Sequence, residues 1–83
     1  MTLTKPWFVY IIQCGDNSLY TGISNNIERR IAKHNSGKGA KYTKGRGPFK
    51  LLYSESHPNK SQASKREAQI KNLSRQEKLE LIK

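Results

Sequence analysis

Two tyrosines, Tyr10 within Val9-Tyr10-Ile11 and Tyr20 within Tyr20-Thr21-Gly22, are followed by Arg30, His34 and, beyond a basic stretch, Glu67. Each type suits one task in breaking a phosphodiester. A phenol or imidazole can move a proton, a guanidinium can hold a phosphate, and a carboxylate can hold a divalent cation. Such chemistry needs all five side chains around one open concavity, so the elements that carry them must bring distant stretches of chain together.

Residues 7–14 are almost all apolar, aromatic or β-branched, the pattern of a central strand buried on both faces. Gly15-Asp16-Asn17-Ser18 is turn chemistry, and residues 19–23 read as the returning strand of a hairpin. With Tyr20 opposite Cys14, both tyrosines would point the same way, whereas a one-residue slip would separate them. Asn25 or Asn26 caps a helix that runs to about residue 35, with Glu28 in its first turn. Ile27 and Ile31 mark its inner stripe. Arg30 and His34 flank that stripe, while the neighbouring Arg29 points away.

Residues 36–48 form a glycine-rich basic stretch without any period, of the length that is either functional or disordered. Lys38, Lys41, Lys44 and Arg46 there are candidate phosphate contacts, and Tyr42 is a candidate to stack on a base. The alternative is a solvated loop. Residues 49–54 read as a third strand, with Phe49, Leu51 and Tyr53 alternating against Lys50, Leu52 and Ser54; His57-Pro58-Asn59 then breaks the chain. A second helix runs from about residue 61 to 72 or 73, with Ala63, Ile70 and Leu73 on its apolar side. Ser74 and Glu77 form a capping box opening a last short helix with Leu79, Leu81 and Ile82. The order hairpin, helix, strand, helix, helix predicts an α+β domain over residues 1–83: a small three-stranded, mostly antiparallel sheet flanked by about three helices.

Glu67 is the acid out of place. Asp16 lies in a turn, Glu28 at a helix start, Glu55 at a strand end, and Glu77 and Glu80 on the last helix; only Glu67 sits on an apolar helical stripe. Burying a carboxylate costs several kcal/mol unless a cation or donor compensates, so either a salt bridge or a metal ion is expected beside it. With one suitable acid, at most one metal ion is expected. Taken singly, the tyrosines also fit core positions, Arg30 a snorkelling side chain and His34 a helix C-terminus.

The composition narrows the partners. Sixteen Lys and Arg against six Asp and Glu give 83 residues a formal charge of +10, which points to a polyanion, nucleic acid before membrane. The helices are too short and too evenly charged for membrane binding. No signal core or membrane span is expected, and the single cysteine, Cys14, rules out an intrachain disulfide and reads as a small buried hydrophobe. A cytoplasmic location follows as the expectation.

On these residues the chain resembles the GIY-YIG nuclease superfamily, in its small single-domain bacterial branch. The two-part tyrosine signature stands here as Val9-Tyr10-Ile11 and Tyr20-Thr21-Gly22; the helix arginine falls on Arg30, the histidine on His34 and the metal-binding glutamate on Glu67. Gly39-Ala40-Lys41-Tyr42-Thr43 and Ile70-Lys71 followed by Leu73 also look like that branch. The resemblance implies metal-dependent endonuclease action on nucleic acid, DNA first, and a place in repair or recombination. It implies that Tyr20 takes a proton from the attacking water while Tyr10 and His34 orient it. Arg30 would hold the scissile phosphate, and Glu67 one Mg²⁺ or Mn²⁺ ion. Two departures stand out: the first motif lacks its glycine, and Asn72 follows Glu67 too closely to replace a polar residue used by larger members. No appended DNA-reading domain is expected, so selectivity is expected for nucleic-acid structure, or from a protein partner. A non-catalytic basic nucleic-acid-binding module is the alternative.

Overall fold

The apolar run becomes β1 (Trp7–Gln13), which pairs antiparallel with β2 (Leu19–Ser24) on one side and with β3 (Lys50–His57) on the other. The computed structural model describes residues 5–37 and 45–83. In the sheet order β2-β1-β3, the central strand is the most apolar one, with Val9, Tyr10, Ile11 and Ile12 all fully buried. Three helices complete the α+β fold: α1 (Ile27–Asn35), α2 (Lys60–Lys71) and α3 (Arg75–Ile82).

Each helix starts where a polar side chain can take up a free amide. Asn26 Oδ1 accepts from Arg29 N at 3.1 Å, and Asn59 Oδ1 accepts from Gln62 N at 2.9 Å. The Ser74 and Glu77 capping box closes in both directions, at 3.1 and 2.9 Å.

The two faces of the sheet serve different purposes. Val9 and Ile11 point to one face, where Ala63 and Ile70 of α2 complete a core joined by Ile23, Tyr53, Leu73, Leu81 and Ile82. Tyr10 and Ile12 point to the other face, which α1 approaches through His34.

Two expectations change. The hairpin pairs Tyr20 with Ile12, not with Cys14, but the difference of two residues preserves parity, so Tyr10 and Tyr20 still share a face. The strict alternation expected of the third strand fails. That strand runs on to His57, and its pairing slips between Ile11, opposite Tyr53, and Ile12, opposite Leu51. Leu52 is thus the extra residue of a bulge, and the bulge puts Leu51 on the opposite face from Tyr53, where it stays 40% exposed.

Candidate active site

The site forms along β2, an edge strand, because three elements can reach around it. Tyr10 projects from central β1 directly across from Gly22. A β-carbon at Gly22 would lie 2.6 Å from the Tyr10 hydroxyl oxygen and 2.8 Å from its ring carbon. Only glycine leaves room there, and the space it leaves lets the phenol lie over β2 toward the open edge.

Helix α1 supplies His34 and Arg30. The Tyr10 hydroxyl and His34 Nε2 are hydrogen-bonded at 3.1 Å. Burial raises the Tyr10 pKa, against the pull of Arg30, and burial together with the Arg30 charge lowers that of His34. Both groups are therefore neutral near pH 7, with a single proton between them. The three rings form one cluster: centroids lie 6.5 Å apart for Tyr10 and Tyr20, 6.2 Å for Tyr10 and His34, and 5.4 Å for Tyr20 and His34. Phe49 closes the far side of His34 at 5.6 Å. Tyr10 and His34 are enclosed, at 0% and 1% exposure, whereas Tyr20 is only partly buried. Tyr20 is the phenol of the pair that solvent reaches.

Arg30 is half-buried, and its Nε is buried without a hydrogen-bond partner. Among the described residues only Thr21 Oγ1, on β2 itself, shares that condition. Buried donors are nearly always satisfied, so an orphaned guanidinium N–H beside a polar cluster marks a place for an acceptor.

Glu67 arrives from the other face of the sheet, on α2 between the buried Ala63 and Ile70. Its charge is near enough to raise the Tyr10 pKa. It is not sealed in the core: its side chain keeps 22% exposure and pairs with Lys71 Nζ at 3.3 Å, one helical turn on. Lys71 in turn stands 6.0 Å from the centre of the Tyr20 ring. Lys71 is thus part of the site although the sequence reading counted it only as a family-like residue; its i, i+4 spacing from Glu67 was the available signal.

A cation could be held here by one carboxylate. Among the described residues no group of three or more His, Cys, Asp or Glu side chains converges. A single hard oxygen donor still fits magnesium or manganese, which commonly bind through one or two carboxylates with waters and substrate phosphates completing the shell.

The structure therefore brings Tyr10, Tyr20, Arg30, His34 and Glu67 to one sheet edge, from two faces. A concavity of about 350 Å³ lies alongside, at the α1 end of β2, and Arg30 is the wall that it shares with the cluster. Arg29, expected to point away, is exposed but lines this concavity too. Of the proposed loop contacts, Arg46 is paired with Asp16 at 2.5 Å. Lys38, Lys41, Tyr42 and Lys44 lie outside the described residues.

The chain is similar to known proteins along most of its length. The GIY-YIG catalytic domain model matches residues 6–80. The UPF0213 protein SH2523 of Staphylococcus haemolyticus is 59% identical over 75 residues, covering 90% of this chain and 92% of that protein. The UPF0213 protein OB0043 of Oceanobacillus iheyensis is 57% identical over 80 residues, covering 96% and 93%. Two solution NMR structures share the fold. The UPF0213 protein BH0048 of Bacillus halodurans has a TM-score of 0.60 at 49% identity, over 93% of this chain and 82% of that one. The protein EF2693 of E. faecalis has a TM-score of 0.65 at 37% identity, over 99% and 88%. A sheet edge that gathers two tyrosines, an arginine, a histidine and a glutamate thus goes with sequence likeness along nearly the whole chain, which belongs to the GIY-YIG family, as one of its small UPF0213 proteins.

Proposed function

We propose that this protein is a metal-dependent endonuclease that hydrolyses phosphodiesters of nucleic acid, DNA before RNA, and selects structure rather than sequence. GIY-YIG membership implies nuclease action on nucleic acid. The observation that carries the finer reading is the unpartnered Nε of Arg30 beside a solvent-reached Tyr20 and a partly buried Glu67.

In this reading Arg30 binds the scissile phosphate, which supplies the acceptor that its Nε lacks and neutralises charge as it builds. Tyr20, as the phenolate, takes the proton of the attacking water and becomes the neutral phenol. Tyr10 and His34, being enclosed, are positioning residues: their shared proton fixes the His34 ring, which packs against Tyr20, and the Tyr10 phenol beside Arg30. Glu67 would hold one Mg²⁺ or Mn²⁺ ion, exchanging Lys71 for it; when bound, such an ion stabilises the leaving oxygen. The exchange is cheap, since an exposed helical ion pair is worth only about 0.3–0.5 kcal/mol.

The charge of +10 supplies sequence-independent affinity, with binding that weakens as salt rises. Among the described residues no helix is long and apolar enough to cross a membrane. A cytoplasmic role in repair or recombination, alone or with a specificity-giving protein partner, is consistent with this reading.

Supercoiled plasmid with Mg²⁺ tests the reading. Nicks are expected, and none in EDTA; Arg30→Ala and Glu67→Ala should still bind DNA but not cut it. Cleavage by both variants at the parental rate would exclude this active site. Absence of cutting on any duplex, flap, branch or single strand would leave a basic binding module instead.

A further inference from the structure

At the end of β2 remote from Tyr20, the chain leaves the sheet through Asn25 and enters α1. Trp7, Asn25, Asn26, Arg29, Arg30 and Lys33 contribute to the walls of the concavity there, whose volume of about 350 Å³ lies within the range of ligand pockets, about 300–1,000 Å³. No carboxylate lines it, and among the described residues no acid pairs with Arg29, Arg30 or Lys33. Three uncompensated cations in one hollow repel one another, a cost that an anionic ligand removes. The buried, unpartnered Nε of Arg30 marks where an acceptor is missing, on the wall that the hollow shares with the cluster.

Trp7 makes the hollow more than an anion site. Its ring is partly exposed and carries Lys60 Nζ at 5.3 Å from its centre. Indole, amide and guanidinium groups together suit a ligand with both a flat ring and a phosphate, which is a nucleotide. The spacing relates it to the cluster: Asn25 lies three residues beyond Gly22, about 10 Å at roughly 3.3 Å per extended residue.

We infer that this concavity binds an unpaired nucleotide flanking the phosphate held at Arg30, with Arg29 and Lys33 on its phosphate and Trp7 against its base. The identity of the neighbouring phosphate as the scissile one rests on the nuclease reading. A base meets an indole only when it has left its own stack, so the pocket selects strands with an unpaired nucleotide next to the cut.

Trp7 is the only tryptophan in the chain, so its emission reports on the surroundings of this one ring, the hollow among them. Titrating the full chain in EDTA with a short single-stranded oligothymidylate should quench that emission, and a blunt duplex of equal length should quench it far less. Arg29→Gln with Lys33→Gln should weaken binding about tenfold or more at low salt and reduce the log–log salt slope by about one to two. Oligonucleotide binding, followed by anisotropy, with emission unchanged would overturn the inference, as would an unaltered salt slope in the double variant. Equal quenching by duplex would overturn the preference for an unpaired base. Silent emission alongside metal-dependent nicking would remove this pocket and leave the nuclease standing. Quenching with no cleavage of any substrate would support the pocket and remove the nuclease.

Discussion

Two regions of this small domain hold the same chemical inventory, and they differ in how far its groups are satisfied. On β3 and α2, Tyr53 donates to Glu55 at 2.7 Å, His57 meets the same carboxylate at 2.5 Å, and Arg66 Nε donates to both its oxygens at 3.2 Å. Tyrosine, glutamate, histidine and arginine there form a closed set around one acid, whose pKa is lowered despite its burial because three partners donate to it. At the β2 edge, Tyr10, Tyr20, His34, Arg30 and Glu67 include the same four types, but no carboxylate stands against Arg30, and Glu67 keeps only a loose lysine. The closed set pins α2 to the sheet. The open set leaves the Nε of Arg30 without a partner, which a substrate can supply. Residue type alone therefore does not tell the two clusters apart; the completeness of their pairing does.

The sharpest way to break the comparison is to remove the arginine from each side. Arg30→Ala should lower cleavage by roughly 10²–10³-fold, the usual cost of one donor to developing charge. Arg66→Ala should keep cleavage within a few-fold but cost about 1–3 kcal/mol of stability in urea, since it strips donors from Glu55. Equal loss of turnover in both would show that the two clusters are not distinct in function.

Next in size is Gly22→Ala. The new methyl would meet the Tyr10 ring and hydroxyl at less than van der Waals distance, so a loss of about 1–3 kcal/mol is expected, with reduced cleavage. A variant as stable and active as the parent would mean that Tyr10 need not lie across β2.

Lys71→Met sharpens the contrast from the side of the carboxylate. It frees Glu67 without shortening the side chain, so Mn²⁺ should bind the free protein roughly twofold more tightly in calorimetry. Lys65→Met, on the same helix, makes the same change in charge; an equal gain there would assign the effect to net charge alone.

The smallest effect is a pH slope. The folded-state pKa of His34 lies below its ordinary 6.5, so the unfolded chain binds the proton more readily. The stability contributed by His34 is complete above about 6.5 and is lost as pH falls through the folded value. The carboxylates of Asp16, Glu55 and Glu77, all with lowered pKa values, act only nearer the ordinary carboxylate range, about 4. Urea midpoints at pH 8 and 5.5 should differ in the parent and converge in His34→Gln; an unchanged slope would assign it to another group.

Much of the fold was legible because it is encoded locally. An unbroken apolar run marks a central strand, Asn26 and Asn59 cap helices within one turn, and the Ser74–Glu77 box closes on itself. The third strand was misread because its bulge answers to β1, not to its own alternation. Among the candidate site residues, types and spacing picked out Glu67 as an acid on an apolar stripe. Glu55 was passed over as a strand-end acid, although its four-residue network is the better satisfied of the two.

By itself, then, the sequence determined the charge that calls for a polyanion, the order of elements, and the supply of groups able to move a proton and grip a phosphate. Those properties depend on composition and on contacts within a few residues. Only the tertiary structure decided the parity that puts both tyrosines on one face and the gap at Gly22 that lets a phenol cross an edge strand. It alone decided which arginine has its acid beside it and which has none. These depend on groups far apart in the chain meeting at ångström distances, which a linear pattern leaves open.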